Sequence, residues 1–214
     1  MTRRVATLAL AGFLAVRPVA AHAQARLSAE ALLATARFRG TTPVGEEALT
    51  GVLAGGRARF ALGASALEVQ YVQGRLSSDS GTTPSRDYVD GSVFVAIRAA
   101  PWLQLKAGPH LRAYVAPGGT ERWALWEGRA HLEAPIIPGT LRAHVEGWAS
   151  LVSGVNANPG AAGARGGEVG LALHVAQSPL LVRLAYTVDQ EAMRSSVRTE
   201  VLEAVVLSVG IGGQ

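Results

Sequence analysis

The sequence predicts an all-β chain of about ten antiparallel strands running up and down in order. Two observations predict it. Apolar and polar residues alternate with period two through most of the chain, and the connections between alternating segments are by turns short and long. The composition allows such a fold. Of 214 residues, 49% are hydrophobic and 17% charged, and mean hydropathy is +0.22. That is too apolar for a disordered chain, and the length suits one domain. Cysteine is absent, which excludes disulfides, zinc–thiolate sites, iron–sulfur clusters and cysteine nucleophiles.

The strands follow from the alternation, element by element. In 102–116, Leu103, Leu105, Ala107, Pro109, Leu111, Ala113 and Val115 share one face, and Gln104, Lys106, His110, Arg112 and Tyr114 the other. A helix would mix these sets; a strand separates them. The same reading gives strands at 26–38, 48–62, 66–76, 88–99, 122–135, 140–153, 167–176, 180–190 and 198–211. Short connections fall at Gly63-Ala64-Ser65, Ala100-Pro101, Pro138-Gly139 and Gln177-Ser178-Pro179. Long ones fall at 40–47, 77–87, 117–121, 154–165 and 191–197. Every long connection follows an odd-numbered strand, so the long loops gather at one end. The Gly-rich stretch 160–167 reads as loop, since no strand-to-helix context makes it a phosphate loop.

The N-terminus reads as an address. Arg3 and Arg4 precede the uncharged run 5–16, and Ala21-His22-Ala23 is a small-x-small cleavage pattern. This is the layout of a secretory signal peptide over 1–23, leaving 24–214 as a single domain. The run is too short for a spanning helix. The formal charge is +4, and removal of Arg3, Arg4 and Arg17 leaves a nearly neutral chain. No basic cluster remains to bind nucleic acid.

An even number of antiparallel strands, short turns at one end and longer loops at the other resembles a Gram-negative outer-membrane β-barrel, over about 26–211. The resemblance implies an up-and-down transmembrane β-barrel in the cell outer membrane, with lipid as its partner on the apolar face. It places the short turns in the periplasm and the long loops outside. Tyr88, Tyr114 and Trp123 then belong near the outer ends of the strands and Trp102 near the inner end, where aromatic girdles lie. The chain departs from the pattern by ending in Gln214 rather than an aromatic residue. It also departs in placing Glu203 on the face of Leu207, Val209 and Ile211, unless a bulge resets the phase.

If the apolar face meets lipid, the polar face lines the lumen. The candidate lumen network is Arg59, Glu68, Asp90, Arg98, Lys106, Arg112, Glu127, Arg129, His131, Glu133, Arg142, His144, Glu146, Glu168, His174 and Arg183. With Glu30, Arg57 and Asp189 the acids and bases balance. A ten-strand barrel is narrow, so balanced long side chains cross it and pair, giving a filled lumen rather than a selective pore. A turn at Gly63-Ala64 puts Arg59 opposite Glu68. A turn at Ile137-Pro138 puts Glu133 opposite Arg142, whereas one at Pro138-Gly139 puts His131 opposite Glu146 and Glu133 opposite His144.

Specific chemistry is less legible. His131, His144 and His174 lie on consecutive strands near the short turns, a set that would suit zinc if registers allowed; the simpler expectation is hydrogen-bonded lumen histidines with no cofactor. Ten-strand outer-membrane barrels include the omptin proteases, whose site pairs aspartates with a His–Asp couple at the outer rim. Asp87, Asp90 and Asp189 lie near the long-loop end, and no histidine is expected beside them. Ser150 and Ser153, with His144 deeper, are the candidates for a lipid-modifying serine site. The leading expectation is a structural or interaction barrel, contacting partners through 77–87 and 154–165. The alternatives are a small transport pore, a membrane-embedded enzyme acting on lipid or peptide, and a soluble exported barrel turned inside out.

Overall fold

The computed structural model describes residues 25–43, 45–78, 83–157, 160–194 and 198–212. The leader expected over 1–23 and the terminal Gln214 lie outside the described residues. Ten strands form: β1 (Ala25–Thr42), β2 (Gly45–Leu62), β3 (Ser65–Ser77), β4 (Arg86–Ala100), β5 (Leu103–Ala116), β6 (Gly119–Ile137), β7 (Leu141–Val155), β8 (Ala161–His174), β9 (Leu180–Met193) and β10 (Thr199–Gly212). Each pairs with its sequence neighbours, and β1 pairs with β10, so the sheet closes into an antiparallel ten-strand barrel. Closure removes the free edges of the sheet, although toward the loops β7 and β8 part, their ladder ending at Ala149 opposite Arg165.

Two features differ from the pattern of loop lengths. The β1–β2 ladder runs without a break to Thr42 opposite Gly45, and β5–β6 runs to Ala116 opposite Gly119, so these two loops nearly vanish. The Gly-rich stretch read as loop is the start of β8, paired with β9 from Ala161 opposite Met193. In both places polar or glycine-rich composition imitated a loop. The ladder continues because backbone hydrogen bonding, not side-chain polarity, decides pairing. Of the loop-end connections, 78–85 is the longest.

The faces follow the period-two rule except where the register shifts. Between β6 and β7 the register shifts at Trp126/Glu127, and Leu151 and Val152 then both face outward, 65% and 67% exposed. The β6–β7 register opposes His131 to Glu146 and Glu133 to His144, while Arg59 opposes Glu68 across β2 and β3. No register shift occurs in β10, so Glu203 does face outward.

Along the barrel axis each face changes character once. Toward the turns the outward side is wholly apolar, including Leu27, Phe60, Val69, Val95, Leu105, Leu132, Val145, Leu171, Leu184 and Val209, all exposed. Toward the loops it turns polar. The outward ionisable residues of the described strands, Arg37, Arg39, Glu46, Arg75, Asp87, Arg122, Arg165 and Glu203, all lie there. Glu203 pairs with Arg39 at 2.7 Å, which explains its place on an otherwise apolar strand face.

The inward side changes in the opposite sense. Toward the loops it becomes an apolar core of Phe38, Leu49, Leu53, Leu76, Tyr88, Tyr114, Trp123, Leu125, Met193 and Leu202. This corrects the girdle expectation: Tyr88, Tyr114 and Trp123 face inward and are 3%, 2% and 1% exposed. Their ends of the strands have a polar outer face and an apolar interior, as a water-soluble barrel has.

Candidate functional site: the layered lumen

Three layers fill the barrel. The apolar plug closes the loop end. Phe38 and Tyr88 pack on Tyr114 with ring centroids 5.2 and 5.5 Å apart, a spacing that favours tilted aromatic pairs. Above it, Arg86 lies 5.3 Å over the Phe38 ring and reaches Glu47, and Arg198 bridges Glu121 and Glu200. Pairing across the rim holds these cations over the apolar layer.

The middle layer is one continuous ion-paired chain. Glu68 contacts Lys106 at 2.9 Å, Lys106 contacts Glu146 at 2.8 Å, and Arg129 joins Glu146 at 3.3 Å to Glu127 at 2.7 Å. His110 then bridges Glu127 and Asp90, at 2.7 Å to each. Arg112 takes the chain across the lumen: it donates to Asp90 at 2.8 Å on β4, and to Glu191 at 2.9 Å and Asp189 at 3.2 Å on β9. The strands explain the set. Alternate positions of β5 bring Lys106, His110 and Arg112 inward; the neighbouring strands β4 and β6 answer His110 and Arg112 with Asp90 and Glu127, while Lys106 reaches past them to Glu68 on β3 and Glu146 on β7. Arg129 also lies over Phe94 at 4.4 Å and Trp148 at 4.8 Å, so its charge sits on two aromatic faces.

Glycine makes room where large side chains cross. A Cβ at Gly166 would stand 2.5 Å from two atoms of the Trp148 ring, whose indole N–H donates to Asp189 at 2.7 Å.

The third layer is a vestibule of about 460 Å³ open at the turn end. Its charged lining is Arg26, Arg57, Arg59, Arg98, Lys106, Arg142 and Arg183 against Glu30, Glu68 and Glu133, with His131 and His174 beside them. The lumen charges that balance along the sequence are therefore sorted along the axis. The mouth is basic; the acids Asp90, Glu127, Asp189 and Glu191 lie deeper.

The expected lumen residues all lie on inward positions, and the structure distributes them between the chain and the vestibule. Arg142 reaches Glu133, Arg183 stands 3.6 Å from Glu30, and Arg59 stands 3.3 Å from Glu68. His144 contacts Glu168 at 2.9 Å, and its ring stacks on His131 with centroids 5.5 Å apart. Arg98 and His174 line the vestibule, and among the described residues neither makes an ion pair. Glu191 and Glu200, 2% and 1% exposed, are further inward acids: Glu191 lies one residue beyond the expected strand 180–190, Glu200 lies within the expected strand 198–211, and the alternation of β9 and β10 reaches both.

Several chemical expectations change. His131, His144 and His174 are not gathered as ligands; among the described residues no three His, Asp or Glu side chains form a metal-binding group. A histidine does lie beside Asp90, contrary to expectation: His110, brought across by the β4–β5 register. That couple is buried under the plug, at 2% and 5% exposure, rather than at an open rim. Asp87 instead faces outward and lies 3.5 Å from Arg75. Ser150 accepts the Ala164 N–H at 2.9 Å, so it serves the backbone, and His144 is engaged by Glu168.

No family model matches the chain, and no curated protein matches it. Among solved structures it resembles the outer-membrane protease OmpT of Escherichia coli, with TM-score 0.56 and 10% identity, over 87% of this chain and 96% of that one. An outer-membrane channel of Pseudomonas putida F1 aligns with TM-score 0.43 and 11% identity, over 92% of this chain and 100% of that one. Neisserial surface protein A aligns with TM-score 0.39 and 11% identity, over 87% and 96%. At such identities the likeness to OmpT defines the fold alone, that of a closed ten-strand transmembrane-type barrel, and carries no activity with it.

Proposed function

We propose that the protein is a structural or interaction barrel of the outer membrane whose lumen does not conduct. The carrying observation is the layered lumen, in which an apolar plug sits on an ion-paired chain crossing from β5 to β9. The charge-free apolar belt supports lipid contact, since an outward set of large apolar residues this extensive has no stable place in water. It also counts against a soluble barrel with its faces reversed. The charged collar toward the loops marks where the wall leaves the hydrocarbon, and the loop end, led by 78–85, is the contact surface for a partner.

The vestibule is the observation that favours a transport pore instead. Two measurements decide. Membrane fractions run on a gel with and without boiling should show the protein in the outer-membrane fraction, with a mobility shift on heating. The purified barrel in a planar bilayer should remain silent. Stepwise conductance would replace the sealed barrel with the pore, and a soluble periplasmic protein without a heat shift would overturn both.

A further inference from the structure

We propose that the turn-end vestibule is a binding site for a small multivalent anion bearing phosphate or carboxylate groups. The vestibule holds unmatched positive charge. Every acid in the lining is already engaged: Glu68 by Arg59 and Lys106, Glu30 by the Ser208 hydroxyl at 2.8 Å and by Arg183, and Glu133 by Arg142 and His131. The bases are not matched in the same way. Among the described residues the side chains of Arg26 and Arg98, both exposed at the mouth, make no hydrogen bond or ion pair, and the Arg57 guanidinium donates to the neutral Gln70 side chain at 3.0 and 2.8 Å. Seven cations against three acids share one mouth, so the lining carries an excess of positive charge.

The space is of ligand size. About 460 Å³ lies within the range of small-molecule sites, roughly 300–1,000 Å³. Guanidinium groups present planar, paired donors that fit phosphate and carboxylate oxygens, and walls of protein on all sides but one strengthen the attraction over that at a flat surface. Trp102, 56% exposed at the rim, adds an apolar face beside the donors. The site is closed inward by the ion-paired chain, so it captures an anion from the turn side and does not pass it on. It stands on the vestibule's own geometry and does not require the sealed-lumen reading.

The test is isothermal titration of the refolded full chain in nonionic detergent at low ionic strength, with inorganic pyrophosphate and citrate as probes. One-to-one binding is expected for at least one; pyrophosphate alone assigns a phosphate ligand, citrate alone a carboxylate ligand. The double variant Arg26→Ala/Arg98→Ala should weaken binding by about tenfold or more, the loss of charge-assisted hydrogen bonds. Neither residue belongs to an ion pair, so the heat-dependent gel shift should persist. Removing the same charge from the collar with Arg37→Ala/Arg122→Ala should leave affinity unchanged. No heat from either probe would overturn the proposal, as would equal weakening by the collar variant, which would mean attraction to net charge alone.

Discussion

Replacing Arg112 with leucine tests the central layer most directly. Arg112 is 4% exposed and donates to three carboxylates, those of Asp90, Asp189 and Glu191. After Arg112→Leu, Asp90 retains His110 at 2.7 Å and the Tyr88 hydroxyl at 3.0 Å, and Asp189 retains the Trp148 N–H. Glu191 retains nothing, since its second oxygen is already buried without a hydrogen bond. Removing one partner of a buried ion pair costs about 3–5 kcal/mol, chiefly through the stranded charge. With a urea dependence of about 2 kcal/mol per molar, a 4 kcal/mol loss moves the unfolding midpoint by about 2 M. The assay is urea unfolding of the barrel in lipid vesicles, followed by tryptophan fluorescence. Arg112→Leu/Glu191→Leu should recover at least half of the loss, because no orphan charge remains. A single-variant shift under about 0.5 M, or a double variant as unstable as the sum of its parts, would refute the account of the chain as a set of mutually required charges.

Three further outcomes follow from the layers. Phe38→Ala should cost about 3–5 kcal/mol by opening a cavity in the plug, read as a lower urea midpoint, while the bilayer stays silent because the ion-paired chain still crosses the lumen. Leu111→Arg, at an outward belt position 62% exposed, should cost about 2–4 kcal/mol in vesicles, whereas Gln73→Arg at collar level should cost about 0–1 kcal/mol; equal costs would misplace the membrane boundary. Gly166→Ala should cost about 1–3 kcal/mol and change the near-ultraviolet circular dichroism of Trp148, since the added methyl meets the indole ring; an unchanged spectrum would show that the wall yields instead.

Much of this architecture is legible one residue at a time. Side chains alternate across a strand by covalent geometry, so Lys106, His110 and Arg112 had to share a face wherever β5 lay, and Arg59 opposite Glu68 followed from a two-residue turn. The ten strands and their up-and-down order are local properties of this kind. Alternation carried only to residue 190 misses Glu191, and polarity read as loop cuts short the tops of β1, β2 and β8.

What alternation cannot carry is position along the axis. Arg98 and Asp90 share a face of β4, yet one stands at the basic mouth and the other under the plug. Tyr114 looks like a girdle residue until the inward face is known to turn apolar at its height. The His110–Asp90 couple, the Arg112 span to β9 and the choice of His144 over Arg142 as the residue opposite Glu133 all depend on register and closure. Those join residues distant in the chain, and their energies exist only once the strands are paired. The sequence by itself therefore determined the strands, their order and the identity of each face; the tertiary structure alone decided which charges meet, and how the lumen divides into plug, ion-paired chain and open basic vestibule.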